Sequence, residues 1–277
     1  MEENNGGFDP GYKSLDQTTK RKGGFKATSF IFILVALENM GFVANMVSMV
    51  LYFMFVMHFG LAASANTLTV FMGSTYLLSV IGGFISDTYL TRLNTCLVFG
   101  LVEILALLMI TTQAHFNELQ PNPCNQTRCV EGGKGLMFYG SLCLLALGTG
   151  GVRGSLPALG GDQFDQKDEK GKKSLATFFN WLLFSTTVGA SIGVTVIVWL
   201  SMNKGWDLGF FISTLAAFVG FIFLALGKPY YHIEVPGDSP ILRVIQVISL
   251  LLTLSHSRAH THTHTCTCTC TCTYTYT

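Results

Sequence analysis

The sequence predicts an all-α membrane protein built from six transmembrane helices. Only 12% of the residues are charged, whereas soluble domains average about 25%. The alternation of apolar and polar residues that marks the strands of a membrane barrel is absent. Six apolar stretches reach the ~20 residues that a membrane-spanning helix needs. They lie near residues 28–57, 67–85, 95–114, 135–157, 175–200 and 207–227.

Positive charge sets the expected orientation of these helices. Fourteen of the 17 lysines and arginines fall on the side that holds the N-terminus, and three fall on the other. Because cytoplasmic loops are enriched in Lys and Arg, the N-terminus is expected in the cytoplasm. Residues 1–27 are polar and contain no short apolar region with a cleavage site, so no cleavable signal peptide is expected.

The expected environment is therefore a lipid bilayer, with the plasma membrane preferred to the vacuolar membrane. Nucleic acid is not an expected partner, because no basic cluster is interleaved with aromatic residues. An intramembrane enzyme is not expected either. The sequence contains neither the His-Glu-x-x-His pattern of metalloproteases nor the Gly-x-Ser-x-Gly pattern of serine hydrolases.

Three charged residues stand well inside the apolar stretches, namely Glu38, Glu103 and Arg153. An ionised side chain in hydrocarbon costs at least ~2.5–3.5 kcal/mol, so such residues usually pair or line a water-filled path. Membrane transport is therefore the first functional hypothesis. Arg153 stays charged and can hold an anion or a carboxylate, whereas Glu38 can carry a proton. Glu103 is interpreted as a snorkelling or interhelical partner, with a coupling site as the alternative.

Polar side chains form a stripe on two of the predicted helices. On the first span the stripe comprises Glu38, Gly41, Asn45, Ser48 and Tyr52. On the fifth span it comprises Asn180, Thr187, Ser191 and Thr195. Because lipid cannot satisfy polar groups, both faces are expected to point at partner helices or a central cavity. On the fourth span, the glycines and proline of residues 148–157 predict a bendable helix.

The turn between the second and third spans reads GGFISDTYLTR over residues 82–92. Its glycines allow two helices to approach closely. Asp87 is predicted near the start of the third helix, where a carboxylate suits the positive end of the helix dipole. The segment is either a plain capped turn or a conformational latch formed by Asp87 and Arg92.

The largest outer loop, about residues 115–134, contains Cys124 and Cys129 around a glycosylation sequon at Asn125. In an oxidising lumen the two thiols could close a small disulfide ring. The alternatives are two free cysteines and an unused sequon, since a short loop lies too near the membrane for easy glycosylation.

From His260 onward the tail alternates Thr with His, Cys and Tyr. Zinc sites use more widely spaced ligands on a folded scaffold, so metal binding is the less favoured alternative. A translated CA repeat, as intron read-through would give, explains the pattern more simply. Residues 249–277 are therefore expected to be an aberrant, disordered, low-complexity tail without a metal site.

Several segments together resemble a known family. GGFISDTYLTR, GTGGVRGSLPALGGDQFD and FFNWLLFSTTVGASIG resemble signatures of the plant branch of proton-dependent oligopeptide transporters, the nitrate/peptide transporter family of the major facilitator superfamily. The segment LENMGFVANMVSMVLYF further resembles the subgroup linked to nitrate and abscisic acid. The resemblance covers roughly residues 25–248.

The resemblance implies a fold of two six-helix bundles around a midplane site, with internal repeats that pair spans 1–3 with spans 4–6. This chain would contain the N-terminal bundle alone and lack its partner, the C-terminal half. Residues 1–27 would then be a cytoplasmic segment and residues 28–227 the transmembrane bundle. Residues 228–248 would begin the central linker that joins the two halves.

The resemblance also implies roles for particular residues. Arg153 would face the anionic substrate and Glu38 would titrate in proton coupling, driven by the proton gradient without a cofactor. Asn45, Tyr52, Asn180 and Ser191 would shape the substrate pocket. Two departures from the family pattern stand out. The first-helix motif E-x-x-E-[K/R] reads Val35, Glu38 and Asn39 here, and the usual Lys-Pro pair of the fourth helix reads Arg153-Gly154.

The leading hypothesis is thus a secondary active, proton-coupled symporter of nitrate or small organic anions such as abscisic acid. In the half-length form this product is not expected to transport. One alternative is a truncated product that misfolds or interferes with the full-length carrier. Another is a peptide transporter, because the C-terminus of a peptide would also satisfy one buried cation.

Overall fold

Six long helices make up most of the chain in a computed structural model, which describes residues 23–121, 132–165 and 168–233. The helices are α1 (Phe25–Phe55), α2 (Leu61–Thr88), α3 (Arg92–His115), α4 (Gly132–Gly161), α5 (Glu169–Asn203) and α6 (Trp206–Leu226). Each is long and apolar enough to cross a membrane. The prediction of an all-α, six-span membrane protein is confirmed.

Some sequence predictions lie outside the described residues. They concern the N-terminal segment 1–22, the sites Cys124, Asn125 and Cys129, the linker from residue 234 onward and the tail 249–277.

The helices extend past the predicted apolar spans. α2 begins at Leu61 rather than at residue 67, and α5 begins at Glu169 rather than at residue 175. The polar residues in these first turns do not break a helix, so an apolar stretch marks the membrane-buried part of a helix rather than its ends. α5 also contains one π-helical segment at Gly193–Ile197.

The helices form two groups of three that share one contact pattern. α1 packs against α5 and α6, while α4 packs against α2 and α3. α3 and α6 contact each other and join the two groups. If α1, α2 and α3 are replaced by α4, α5 and α6 respectively, and the reverse, the same helix pairs remain in contact. An internal repeat requires this symmetry. The predicted close approach of glycines occurs where Gly82 of α2 meets the backbone of Gly151 of α4.

α2 and α5 are the least buried of the six spans. On α5, Gly189 lies against the backbone of Ala36 in α1, where a side chain would not fit. This contact turns the polar stripe of α5 away from the other helices. All four of its members are exposed: Asn180, Thr187, Ser191 and Thr195. The stripe of α1, by contrast, is buried along its whole length, as predicted.

Both ends of the described bundle are tied together by polar contacts. At one end, the backbone N–H of Gly23 donates to the carbonyl oxygen of Tyr230 at 2.9 Å. At the same end, Gln163, just after α4, exchanges two hydrogen bonds with the backbone of His232. At the opposite end His115 lies 3.1 Å from Asp207. The start of α1, the end of α4 and the segment after α6 therefore share one side of the membrane.

Candidate functional site

A buried ion pair joins α1 to α4 in the middle of the bundle. The Nε and Nη2 atoms of Arg153 donate to Oε1 of Glu38 at 3.3 and 3.2 Å. The Glu38 side chain is 3% exposed and the Arg153 side chain 26% exposed. The two residues are 115 positions apart in the sequence. The structure thus brings together the predicted proton-carrying and anion-facing residues, and it leaves part of the guanidinium accessible.

Asn39 connects both members of this pair. Its amide nitrogen donates to Oε2 of Glu38 at 2.9 Å and also to the carbonyl oxygen of Val35. Its amide oxygen accepts from Nη2 of Arg153 at 3.2 Å. Asn39 occupies the position at which the family pattern has a basic residue. Here it supplies a donor to the carboxylate and an acceptor to the guanidinium, and both oxygens of Glu38 are satisfied.

The guanidinium of Arg153 also contacts an aromatic ring, and a small cavity lies next to the ion pair. The central carbon of the guanidinium lies 3.7 Å from the centroid of the Phe42 ring, a geometry in which cation–π attraction is favourable. The neighbouring cavity measures about 10 Å³, which is close to the minimum volume that one water molecule requires. Its polar lining comes from Glu38, Asn45, Glu103 and Ser213.

Glu103 of α3 lies inside the bundle and not at a membrane surface. It is 3% exposed and lines the same cavity as Glu38. The snorkelling half of the interpretation of Glu103 is therefore wrong, while its contacts with Gly148 and Thr149 of α4 agree with the interhelical half. The physical reason is a close helix contact: Gly148 of α4 lies against the backbone of Glu103, where a larger side chain would not fit, so α4 packs directly over this position. Its Oε2 atom has no hydrogen-bond partner among the described residues.

The other predicted pocket residues fall in three places. Asn45 lines the cavity, and its side-chain oxygen accepts a hydrogen bond from Ser213 of α6 at 2.9 Å. Tyr52 is buried at the contact with α6, beside the ring of Phe210 at 5.3 Å, and is not part of the cavity lining. Asn180 and Ser191 lie on the exposed face of α5. Their assignment to a substrate pocket stays a prediction.

A second group of charges lies at the end of the bundle where α2, α3 and α4 meet. Arg92 donates to Oδ1 of Asp87 at 3.1 and 3.2 Å and also forms a short ion pair with Asp162, the first residue after α4. The predicted partners Asp87 and Arg92 are thus in contact. Asp162 extends the pair to the turn that follows α4. The role of this contact as a conformational latch stays a prediction.

The position of Asp87 corrects one expectation. Asp87 lies in the last turn of α2 and not at the start of α3. The N-cap of α3 is Thr91, whose hydroxyl accepts from the backbone N–H of Asn94 at 3.4 Å. A carboxylate at a helix C-terminus is unfavourable with respect to the helix dipole, so the contact with Arg92 compensates for that cost.

Four residues of these sites were not singled out from the sequence. They are Asn39, Phe42, Asp162 and Ser213. Asn39 was noted only as a departure from the family pattern, and Asp162 lies within the GGDQFD segment that carried the resemblance. Phe42 and Ser213 carry no signal of their own, because Phe and Ser are common on transmembrane helices.

Comparison with known proteins gives the family. The family model described as PTR2: POT family matches residues 93–275. The chain belongs to the POT family. Protein NRT1/PTR FAMILY 4.6 of Arabidopsis thaliana is 40% identical over 230 residues, which cover 82% of this chain and 39% of that relative. Protein NRT1/PTR FAMILY 4.5 of the same plant is 38% identical over 233 residues, with coverages of 82% and 41%. The resemblance stated from the motifs is confirmed.

Solved structures of POT family members share the fold. The POT family transporter PepTSo superposes with a TM-score of 0.65 at 23% identity, covering 77% of this chain and 39% of that protein. A peptide transporter POT in complex with sulfate gives a TM-score of 0.65 at 15% identity, with coverages of 91% and 49%. The described helices therefore share the fold of part of these POT family transporters. The chain spans about two fifths of the length of the curated relatives named here.

Proposed function

We propose that this chain forms the N-terminal half of a proton-coupled secondary transporter for nitrate or small organic anions such as abscisic acid. The observation that carries the proposal is the guanidinium of Arg153, which is fixed inside the membrane region and remains 26% exposed. Arginine stays charged under all relevant conditions and binds planar anions through two donors at once. An anion that displaces Glu38 from the guanidinium would find a ready site.

The direction and driving force belong to the same proposal. The distribution of Lys and Arg supports a cytoplasmic N-terminus, and the plasma membrane is the proposed location. Glu38 is the proposed proton-carrying group, because it loses its cationic partner when an anion binds Arg153. The proton gradient then supplies the energy, without a bound cofactor.

A complete carrier needs a second bundle, and the exposed faces of α2 and α5 support this requirement. The stripe on α5 includes the amide of Asn180, which lipid cannot satisfy. A second six-helix bundle packed against α2 and α5 would cover this face and close the other side of the path. The chain by itself is therefore proposed not to transport.

The test uses this chain and a fusion of it to the C-terminal half of the Arabidopsis relative 4.6, both expressed in oocytes. Uptake of labelled nitrate, abscisic acid and a dipeptide is measured at acidic and neutral external pH. The fusion should take up an anion faster at acidic pH, and the chain alone should not. Preferential dipeptide uptake would favour the peptide alternative instead.

The residue-level control compares two cations. Arg153→Ala removes charge-assisted hydrogen bonds worth about 1.5–3 kcal/mol each, which corresponds to roughly a 10- to 100-fold loss of uptake. Lys204→Ala removes an exposed cation at the end of α5 and should leave uptake unchanged. Equal uptake by the fusion with and without Arg153 would contradict the proposal, as would uptake by the chain alone.

A second candidate function is interference with a longer family member. The exposed faces of α2 and α5 favour it, because they could occupy the C-terminal half of an intact carrier. Co-expression of this chain with the intact relative 4.6 tests the idea: reduced uptake supports interference, and unchanged uptake dismisses it.

A further inference from the structure

Two carboxyl groups share the central cavity, while one cation faces them. Glu38 of α1 and Glu103 of α3 both line the cavity, and Arg153 of α4 donates to Glu38. From α6 the cavity is faced by Ser213 and Ala217, neither of which titrates. The charge of one arginine balances one carboxylate, so the second carboxyl needs another means of neutralisation.

The remaining titratable side chains near α3 do not reach this cavity. Apart from Arg153, the titratable side chains on α2, α4 and α6, the helices that pack against α3, do not line the cavity. They are Tyr76, Asp87, Lys134, Tyr139, Cys143 and Asp207. On the 3-10 turn Asn117–Leu119, the acid Glu118 is exposed. Within the described part of the chain, the electrostatic balance at the cavity is therefore set by Glu38, Glu103 and Arg153.

Hydrogen bonding distinguishes the two carboxyl groups. Glu38 accepts from Arg153 at Oε1 and from Asn39 at Oε2, which suits an ionised carboxylate. Oε2 of Glu103 accepts nothing from the described residues and is buried. The Thr149 side chain of α4 hydrogen-bonds to the Glu103 carboxyl group, but Oε2 keeps no partner. An ionised carboxylate with one buried oxygen lacking a donor is costly in a protein interior, whereas a protonated one is neutral and also has an O–H to donate.

We propose that Glu103 is a second proton-binding group of the carrier and holds a proton in the arrangement seen in this structure. This inference rests on the proposed transport function. An O–H bond forms at Glu103 with a proton delivered by hydronium, which becomes water, and the bond breaks when the proton returns to a water molecule. No other reactant is needed.

Binding of an anion and binding of this proton should favour each other. An anion that takes the guanidinium of Arg153 leaves Glu38 without its cation, opposite Glu103. If Glu103 were also ionised, two unbalanced carboxylates would share one cavity. The proton on Glu103 removes one of these charges, and by linkage the anion raises the affinity of the site for the proton to the same extent.

The first test measures the proton directly on this chain, purified in lipid vesicles. At neutral pH, infrared spectra should contain the C=O stretching band of a protonated carboxyl group. The frequency of this band should shift when the protein is transferred to heavy water. Glu103→Gln should abolish the band, and Glu118→Gln, at an exposed position, should leave it. Persistence of the full band in E103Q, or its absence from the unchanged protein, overturns the inference.

A second variant covers the case in which E103Q does not fold, as judged by helical circular dichroism. Glu103→Asp keeps a titratable carboxyl group one methylene shorter, so the band should remain but change in frequency. An unchanged band in E103D would show that another group carries the proton and would overturn the inference.

The transport fusion supplies an independent readout. The ratio of uptake at acidic to neutral pH should fall in E103Q, where Glu38 remains as the other proposed proton-binding group, and stay at its original value in E118Q. An unchanged ratio in E103Q would count against this inference alone. Absence of uptake in every fusion would count against the proposed function, while the infrared result would still decide the protonation of Glu103.

Discussion

Removing Arg153 should destabilise the bundle more than neutralising Glu38. Arg153→Met leaves the Glu38 carboxylate buried at 3% exposure without a cation. Breaking a buried ion pair in this way costs about 3–5 kcal/mol. Glu38→Gln leaves a guanidinium that is 26% exposed and still donates to Asn39. Its cost should be nearer to that of a lost charge-assisted hydrogen bond, about 1.5–3 kcal/mol.

The free energy of unfolding of each variant is measured in mixed micelles with increasing SDS. The loss of helix is monitored by circular dichroism. The two single variants and the double variant form a cycle that isolates the interaction between the side chains. The double variant E38Q/R153M should lose less stability than the sum of the single variants, because it leaves no unpaired charge. Lys204→Met serves as a control and should change stability by less than about 0.5 kcal/mol.

Two outcomes would refute this reasoning. Equal or greater destabilisation by E38Q would mean that exposure of the guanidinium does not lower the cost of leaving it unpaired. Additive effects in the double variant would mean that the 3.2 and 3.3 Å contacts contribute nothing beyond the packing of each side chain.

Two further variants test the packing and the latch. Gly148→Ala places a Cβ against the backbone of Glu103 and should cost roughly 1–3 kcal/mol. Gly140→Ala, where no atom lies within 4 Å, should be nearly neutral in the same unfolding assay, and equal effects would contradict the packing. Arg92→Gln breaks contacts to Asp87 on α2 and to Asp162 in the turn after α4. Because these groups are partly exposed, we expect a loss of roughly 1–2 kcal/mol, and an unchanged unfolding midpoint would show that the latch does not stabilise this conformation.

The number and type of the helices could be predicted from the sequence because a bilayer imposes a minimum apolar length. The need of Glu38 and Arg153 for compensation could be predicted for a related reason. A charge within such a stretch is costly and needs compensation. Neither inference depends on knowing how the helices turn toward one another.

The direction in which each helix faces could not be predicted in the same way. The stripes on α1 and α5 looked equivalent in sequence, yet the α1 stripe is buried and the α5 stripe is exposed. In a membrane, lipid is as apolar as a protein core, so apolar residues do not indicate which side of a helix points inward. The glycine contacts of α5 with α1 determine it instead.

By itself, the sequence determined six membrane-spanning helices, the family to which they belong and a buried acid that needs a cation. Only the tertiary structure decided that Glu103 lies beside Glu38, that Asn39 connects the acid to Arg153, and that Asp162 joins the contact between Asp87 and Arg92. The physical reason is that each of these arrangements depends on the rotation and spacing of whole helices. Those are fixed by close backbone contacts between helices that are distant in sequence.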